Sequence, residues 1–263
     1  MNNQHSKIRS GDIIPLPAFR DNYIWLLRHG RFAAVVDPGD ATVVETALQQ
    51  QGLQLCAILV THHHNDHIGG VAELAARHRP QVLGPAGEDI PAITRHVREG
   101  DEIVLDELDQ RFTVLEIPGH TRTHVAYLAP GVLFPGDTLF SAGCGRLLGG
   151  TSGQMYASLQ RMAQLPDDTG VYCAHEYTLA NLAFSRAAEP MNAARDARQA
   201  ECEALRREGR PTLPSSIGRE KQINPFLRTD VAGLVDAVTA HSGSRPPGPR
   251  ECFAALRAWK DVF

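Results

Sequence analysis

The chain lacks several features that would place it outside the ordinary globular class. No run of 18 apolar residues occurs in its 263 residues, so no membrane span is expected. The opening residues, MNNQHSKIRSGD, are polar and hold no apolar core, so no secretory leader is expected. A basic excess is missing: 26 Lys and Arg stand against 30 Asp and Glu, a formal charge of −4. That balance argues against a nucleic-acid partner. The five cysteines, Cys56, Cys144, Cys173, Cys202 and Cys252, are scattered, odd in number and form no C-x-x-C. They read as reduced thiols, and a cytoplasmic location is expected. No G-x-S-x-G occurs, so no serine nucleophile elbow is expected. Internal repeats and low-complexity tracts are absent too. Hydrophobic residues at 43% and charged residues at 21% exclude wholesale disorder. A chain of this size buries about 70–75% of its unfolded surface, enough to fold without a disulfide or a structural metal.

What is present is short apolar runs punctuated by 23 Gly and 17 Pro. The runs predict strands at residues 23–27, 32–36, 56–60, 81–83, 102–105, 112–117, 125–128, 132–134 and 171–174. Helical spacing predicts helices at 42–51 behind Asp40, at 68–77, at 152–164 with Ser152 as cap, and at 178–189, 193–207 and 251–263. The stretches 209–216 and 242–250, rich in Pro and Ser, read as loops. A mixed α/β body, residues 1–175, followed by a helical region, residues 176–263, is expected.

The strongest chemical signal is Thr61-His62-His63-His64-Asn65-Asp66-His67, directly after the apolar run CAILV. In an extended segment His62 and His64 point the same way and His63 points oppositely. Asp66 and His67 fall where the next helix begins. Four potential ligands split between two directions suit two adjacent metals better than one: His62 and His64 for the first, Asp66 and His67 for the second. Three more candidates lie just past apolar strands: His120 after Pro118-Gly119, Asp137 after Pro135-Gly136, and His175 after 171–174. In α/β sheets ligands gather outside the carboxyl ends of strands. His120 would complete a three-nitrogen set with His62 and His64. His175 would join Asp66 and His67, and the two oxygens of Asp137 could bridge both ions. Imidazole with carboxylate suits zinc, iron or manganese. A lone histidine is more often packed or solvated than a ligand, and that plain reading is kept for His5, His29, His78, His96 and His241. His63 reads as a packing or supporting residue, and His124 could orient something near His120. Asp37, in VDPGD, is either a partner that orients a ligating histidine or an ordinary turn aspartate.

Together, THHHNDHIGG, Gly119-His120, Gly136-Asp137 and His175-Glu176-Tyr177-Thr178 resemble the metallo-β-lactamase superfamily. Within it they look like the glyoxalase II, or hydroxyacylglutathione hydrolase, family. Three narrower features carry that second resemblance: Gly143-Cys144-Gly145-Arg146, the tyrosine Tyr177 beside the last histidine, and Arg257-Ala258-Trp259-Lys260-Asp261, which is similar to the family's terminal R-x-x-K-D. The resemblance covers nearly the whole chain. It implies an α/β fold, an αββα sandwich with a C-terminal helical substrate domain. It implies hydrolysis of S-D-lactoylglutathione to glutathione and D-lactate, the second step of methylglyoxal detoxification. It carries His62, His64 and His120 to one metal, Asp66, His67 and His175 to the other, and Asp137 to the bridge. Two divalent ions are implied, zinc first, with iron or manganese as alternatives. Glutathione contacts are implied at Arg146, Tyr177, Arg257 and Lys260. Arg146 stands where many members have lysine, and Leu148 where some have tyrosine.

The chemistry agrees with that set. Metal binding lowers the pKa of water toward about 7, so a hydroxide between two ions could attack a thioester carbonyl at neutral pH. Asp66 and Asp137 are the expected catalytic carboxylates around it. The leaving thiolate, whose parent thiol has a pKa of about 8.5, needs no dedicated acid. The alternative reading is another enzyme of the superfamily, such as a persulfide dioxygenase or a lactonase. A monomer acting on a small molecule, with no nucleic acid or membrane partner, is expected.

Overall fold

Parallel strands covered on both faces need continuous apolar runs, and the first half of the chain supplies them. The computed structural model describes residues 12–263; His5 and the rest of residues 1–11 lie outside the described residues. The first elements are β1 (Ile13–Ala18), β2 (Asn22–His29), β3 (Phe32–Val36), α1 (Ala41–Gln51), β4 (Gln54–Leu59), α2 (Asn65–Ile68), α3 (Val71–His78), β5 (Gln81–Pro85) and β6 (Arg95–Val97). They form a six-stranded sheet in the order β1-β2-β3-β4-β5-β6. The pairs β1–β2 and β2–β3 are antiparallel, and β3–β4, β4–β5 and β5–β6 are parallel. Strand β1 was hidden in the sequence by Pro15 and Pro17, which an edge strand tolerates because its outer side needs no donor. Four more strands, β7 (Glu102–Leu105), β8 (Gln110–Glu116), β9 (Val125–Ala129) and β10 (Val132–Phe134), pair antiparallel in succession. The Tyr127 hydroxyl on β9 lies within hydrogen-bond reach of the Val60 carbonyl, 2.7 Å, and the Leu83 carbonyl, 3.2 Å, and so ties these strands to the larger sheet.

The chain divides into two compact units, one of residues 12–116 with Thr123–Gly136, the other of Ile117–Arg122 with Asp137–Phe263. In the first, Val44, Ala47 and Leu48 of α1 and Val71 and Leu74 of α3 pack on Ile24, Leu26, Val35 and Ile58 of the sheet. The single helix expected at 68–77 is two, α2 and α3, divided at Gly69-Gly70. The Gly70 amide donates to the Pro38 carbonyl at 2.9 Å. A Cβ on Gly70 would lie 2.6 Å from that oxygen and from the Ala41 nitrogen, so glycine is required by the close approach of two backbones.

The second unit contains a small hairpin of β11 (Leu139–Phe140) and β12 (Gly143–Cys144), then α4 (Ser152–Ala163). The cap of α4 is Thr151 rather than Ser152: its hydroxyl takes the Gln154 amide proton, and the Gln154 side chain takes the Thr151 amide proton. Of the strand expected at 171–174 only β13 (Gly170–Val171) is laddered, antiparallel to β14 (Ser215–Ser216), although Tyr172, Cys173 and Ala174 are buried. The helices α5 (Thr178–Ala188), α6 (Ala193–Arg207), α7 (Ile217–Ile223), α8 (Ala232–Ser242) and α9 (Pro249–Val262) follow. The loop expected at 242–250 is shorter than read, because Pro249 opens α9 in its first turn. Polar α6 is held by a fully buried Arg195, which donates to the Ser185, Glu189 and Pro190 carbonyls at the end of α5. Among the described residues no helix is long and apolar enough to cross a membrane. All five cysteines are free.

Asp40 caps α1 by accepting the Thr42 and Val43 amides at 2.8 and 3.4 Å. Asp40→Ala should cost about 1 kcal/mol and lower the melting temperature by about 2–4 °C, read by circular dichroism on heating.

Candidate metal centre

Within the first unit, the ends of β3 and β4 bring Asp37 beside Thr61 and the histidine run. Asp37 holds a left-handed backbone, φ 53. Its carboxylate accepts the Thr61 amide at 2.7 Å and the Thr61 hydroxyl at 2.8 Å. The same carboxylate lies 3.1 Å from Nδ1 of His67. A proton on Nδ1 of His67 is thereby fixed, and its Nε2, 3.4 Å from Asp66 Oδ2, presents a lone pair. Thr61 has given its proton to Asp37, so its oxygen accepts from Nδ1 of His62 at 3.0 Å, which frees Nε2 of His62 as well. That Nε2 is 3.0 Å from Nδ1 of His64. Two imidazole nitrogens this close either share a proton or face one cation together. Asp37 is therefore the orienting partner rather than a plain turn residue, and Asp37, His62 and His67 have donor atoms within 4.8 Å of one another.

Nδ1 of His63 is turned to Glu88, 2.9 Å from its Oε2, while the His63 ring meets that of His64 edge-on at 5.0 Å; Thr123 donates to the other oxygen of Glu88. His124 stacks on His62 with centroids 4.6 Å apart, its Nδ1 within 3.1 Å of the Val125 carbonyl. Asn22, at the start of β2, donates to Asp66 Oδ2 at 2.9 Å and lies 3.4 Å from the Asp66 carbonyl. Neither Asn22 nor Thr61 carried a signal in the sequence, since Asn22 reaches Asp66 across 44 residues and Thr61 reaches Asp37 across 24. The plain readings of His78 and His241 hold: one pairs with Glu45 at 2.7 Å, the other stacks on Trp259 at 4.1 Å.

The second unit brings His120, Asp137 and His175 together. Nε2 of His120 is 3.5 Å from Asp137 Oδ2, and Nε2 of His175 is 3.3 Å from Asp137 Oδ1. One carboxylate thus faces a different imidazole with each oxygen. Nδ1 of His120 lies 2.8 Å from the Arg146 carbonyl, an acceptor only, so Nδ1 carries the proton and Nε2 the lone pair. The His175 ring stacks flat on Tyr177, 4.7 Å and 5° between planes, with the Phe140 ring edge-on at 5.8 Å. Buried imidazoles with pre-set lone pairs beside carboxylates are a donor set that fits divalent metal.

The cationic residues of the tail separate into two kinds. Arg257 is 3% exposed; its guanidinium donates to the carbonyl of Cys144 at 3.0 Å and that of Gly145 at 3.5 Å, and to Asp261 at 3.0 Å. Lys260 is half-buried, its ammonium 4.8 Å over the Phe184 ring. Burial, with the nearby charges of Arg257 and Arg146, lowers its pKa to about 8. Tyr177 and Leu148 are exposed, at 36% and 58%. The Cys144 thiol is pushed up by burial, against the pull of Arg257, which makes it a poor nucleophile.

Residues 18–175 match the family model described as metallo-beta-lactamase superfamily, and residues 176–263 match the model described as hydroxyacylglutathione hydrolase C-terminus. The first match sets the class: a metallo-β-lactamase fold, α/β, here with a C-terminal helical region. The hydroxyacylglutathione hydrolase of Chromohalobacter salexigens is 56% identical over 256 residues, covering 95% of this chain and 99% of its own. That of Cupriavidus taiwanensis is 52% identical over 261 residues, covering 95% and 98%. Within that class the chain belongs to the hydroxyacylglutathione hydrolase family. Similar solved structures include ETHE1 from Myxococcus xanthus, TM-score 0.61 and 27% identity over 94% of this chain and 99% of that one. Another is TTHA1623 in a di-iron-bound form, TM-score 0.59 and 27% identity over 82% and 99%.

Asp37→Asn, turned so that its oxygen keeps the Thr61 amide, sets an NH2 against both the Thr61 hydroxyl and Nδ1 of His67 and so unsets the His67 ring. Metal affinity, measured by competition with a chelator, should fall about 10–100-fold while the protein remains folded.

Proposed function

We propose that this protein hydrolyses S-D-lactoylglutathione and related 2-hydroxyacylglutathiones to glutathione and the free acid, the second step of methylglyoxal detoxification. The observation that carries this reading is the 56% identity, over 95% of the chain, to a protein named hydroxyacylglutathione hydrolase. We assign residues 1–175 to catalysis and 176–263 to substrate binding. We assign His62, His64 and His120 to one divalent ion, Asp66, His67 and His175 to a second, and Asp137 to both. The fixed Nδ1 protons of His62, His67 and His120 support this, since each leaves Nε2 as the ligand atom. Zinc is our first choice, with iron or manganese compatible with the same donors. When bound, two such ions supply Lewis acidity and lower the pKa of a water to about 7.

The chain's own residues do the rest. Asn22 holds Oδ2 of Asp66 and so sets the carboxylate to which we assign the orientation of the attacking water. Asp137 offers one oxygen to the side of His120 and one to the side of His175. No side chain is needed to protonate the leaving thiolate, given a thiol pKa of about 8.5. We assign the glutathione end to Arg146, Tyr177 and Lys260, with Arg257 adding positive charge nearby. All these groups come from one chain, so a monomer suffices, and the five free thiols suit a reducing cytoplasm.

Thiol release from S-D-lactoylglutathione by the purified, metal-loaded protein tests the reading, with simple acyl thioesters as controls. Oxygen consumption on a glutathione persulfide without thioester cleavage would overturn it. Asp137→Ala should reduce kcat by orders of magnitude and His63→Ala by far less; equal losses would mean the ligands are misassigned. Lys260→Ala should raise KM about tenfold or more with little change in kcat, the worth of one charge-assisted hydrogen bond. Because Lys260 is charged only below its pKa of about 8, the wild-type KM should climb as pH rises through that value. The climb should be missing in Lys260→Ala.

A further inference from the structure

We infer that Phe19, at the tip of the β1–β2 hairpin, determines acyl specificity: its ring forms an apolar wall beside Asp66 for the substituent on the acyl group of the thioester. The inference deepens the hydrolase reading above and rests on it. Phe19 is left 61% exposed. A single exposed apolar side chain is ordinary, but this one also holds a left-handed backbone, φ 49. A bulky residue rarely adopts that conformation, and glycine, asparagine or aspartate would hold it at less cost. The turn does not demand the strain at this position. Ala18 pairs with Asn22, which leaves Phe19, Arg20 and Asp21 as the loop. The common three-residue hairpin turn has its left-handed residue last, where Asp21 stands with a side chain suited to it. Here the left-handed residue is first and is phenylalanine. Strain of this kind collects at ligand clamps and active sites.

The ring lies against the backbone of the ligand loop. A Cβ on Gly39 would be 1.9 Å from the Asp66 carbonyl oxygen and 2.8 Å from Cε2 of Phe19. Ring and carbonyl thus flank one point, and glycine at 39 makes room for both. Nδ2 of Asn22 lies 3.4 Å from that carbonyl and donates to Oδ2 of Asp66 at 2.9 Å. One donor reaches both oxygens, so the carbonyl and the carboxylate of Asp66 face the side where the hairpin tip sits. The support is close-packed. The Gly39 amide donates to the Asp37 carbonyl at 2.9 Å, and a Cβ on Gly69 would be 2.6 Å from the Gly39 carbonyl oxygen. Backbone meets backbone at Gly39, Asp66 and Gly69, and the Phe19 ring rests at their edge with more than half its surface open. Asp66 is the carboxylate assigned to orient the attacking water, so a group beside it meets the end of the substrate that carries the reacting carbonyl. The residues assigned to glutathione, Arg146, Tyr177 and Lys260, are cationic or polar. An aromatic face offers no charge to a peptide carboxylate and gains instead by covering apolar surface. In a 2-hydroxyacyl thioester that surface is the substituent on C2.

The test uses three glutathione thioesters that differ only at C2: S-glycoloylglutathione with hydrogen, S-D-lactoylglutathione with methyl and S-D-mandeloylglutathione with phenyl. Zinc-loaded wild type, Phe19→Leu and Phe19→Gly are compared, with the melting temperature and the metal retained against graded dipicolinate read alongside. Phe19→Gly removes the ring and suits the left-handed backbone, so it should melt no lower than the wild type and retain metal equally well. The ratio of kcat/KM on the mandeloyl thioester to that on the glycoloyl thioester should fall about tenfold in Phe19→Gly. The lactoyl-to-glycoloyl ratio should fall by less. Phe19→Leu, which keeps an apolar side chain, should retain most of both ratios. Wild-type ratios in Phe19→Gly, with kcat/KM either unchanged or lowered by one factor on all three, would overturn the inference. Metal release at less chelator together with a lower melting temperature in Phe19→Gly would overturn it too, because the ring would then support Asp66 rather than meet substrate. No thiol release from any of the three by the wild type would instead overturn the hydrolase reading beneath it.

Discussion

A histidine binds metal only through a nitrogen that has no proton, and a buried ring has no water to take the proton for it. The structure depends on where those protons are sent. Thr61 takes the one from His62, Asp37 the one from His67, and the Arg146 carbonyl the one from His120. Each acceptor is itself committed: Thr61 to Asp37, Asp37 to Thr61, and the Arg146 carbonyl to a turn that its neighbours fix. A buried carboxylate or imidazole without such a partner would cost several kcal/mol, about the net stability of many domains. Backbone strain sits in the same places. Asp37, itself one of the acceptors, and Ala142, in the hairpin that leads to Arg146, are both non-glycine residues at positive φ, each at a cost of about 1–3 kcal/mol.

The two units reach this end with different materials. In the first, the sheet does the work: parallel strands end at one level, so Asp37 after β3 and His62 after β4 meet without any special device. In the second, no long strand supports the ligand loop. A hairpin of two-residue strands is locked instead by Asn181 of α5, Glu220 of α7, Asn224 at the end of α7 and Arg257 of α9. The buried Glu220 shows the cost of that solution. Its pKa is raised by desolvation, opposed by the hydrogen bonds it accepts from Ser215, Ala142, Ser141 and Asn224. The helical region to which we assign substrate binding also holds the backbone next to Asp137.

Much of this was legible in the sequence because the signals are local. Although the strand expected before His175 is laddered only as the short β13, the run after CAILV and the places of His120 and Asp137 just past β8 and β10 follow from strand ends. The same holds for β3, β7 and β10, read to the residue. What was hidden acts at a distance or lacks a start signal. Helix α8 is preceded by Val231, which has no side chain to cap it. Helix α7 is only seven residues long and carries its most buried polar group, Glu220, where periodicity suggests solvent. Asn22 reaches Asp66 across 44 residues, and no spacing rule encodes that. The division of 68–77 at Gly69-Gly70 likewise depends on the backbone of Pro38 and Ala41.

The last step concerns charge. Arg146, Arg257 and Lys260 are close enough that the first two help to depress the third, after burial, to about 8 from an ordinary 10.5. A lysine whose folded pKa is lowered opposes folding in its charged form. That opposition is complete below pH 8 and is relieved as pH rises from there toward the unfolded value. The fold therefore keeps a positive charge at Lys260 whose cost the Phe184 ring and the Ala180 carbonyl only partly offset, whereas the Arg257 guanidinium is held by carbonyls and Asp261. An anion binding beside Lys260 would raise its pKa again and recover the cost. The recovery is available only to a ligand that brings negative charge, as the carboxylates of a glutathione thioester do. Discrimination between such a thioester and a neutral one can thus arise at α9, away from the scissile bond, and appear in KM while the hydrolytic chemistry stays the same.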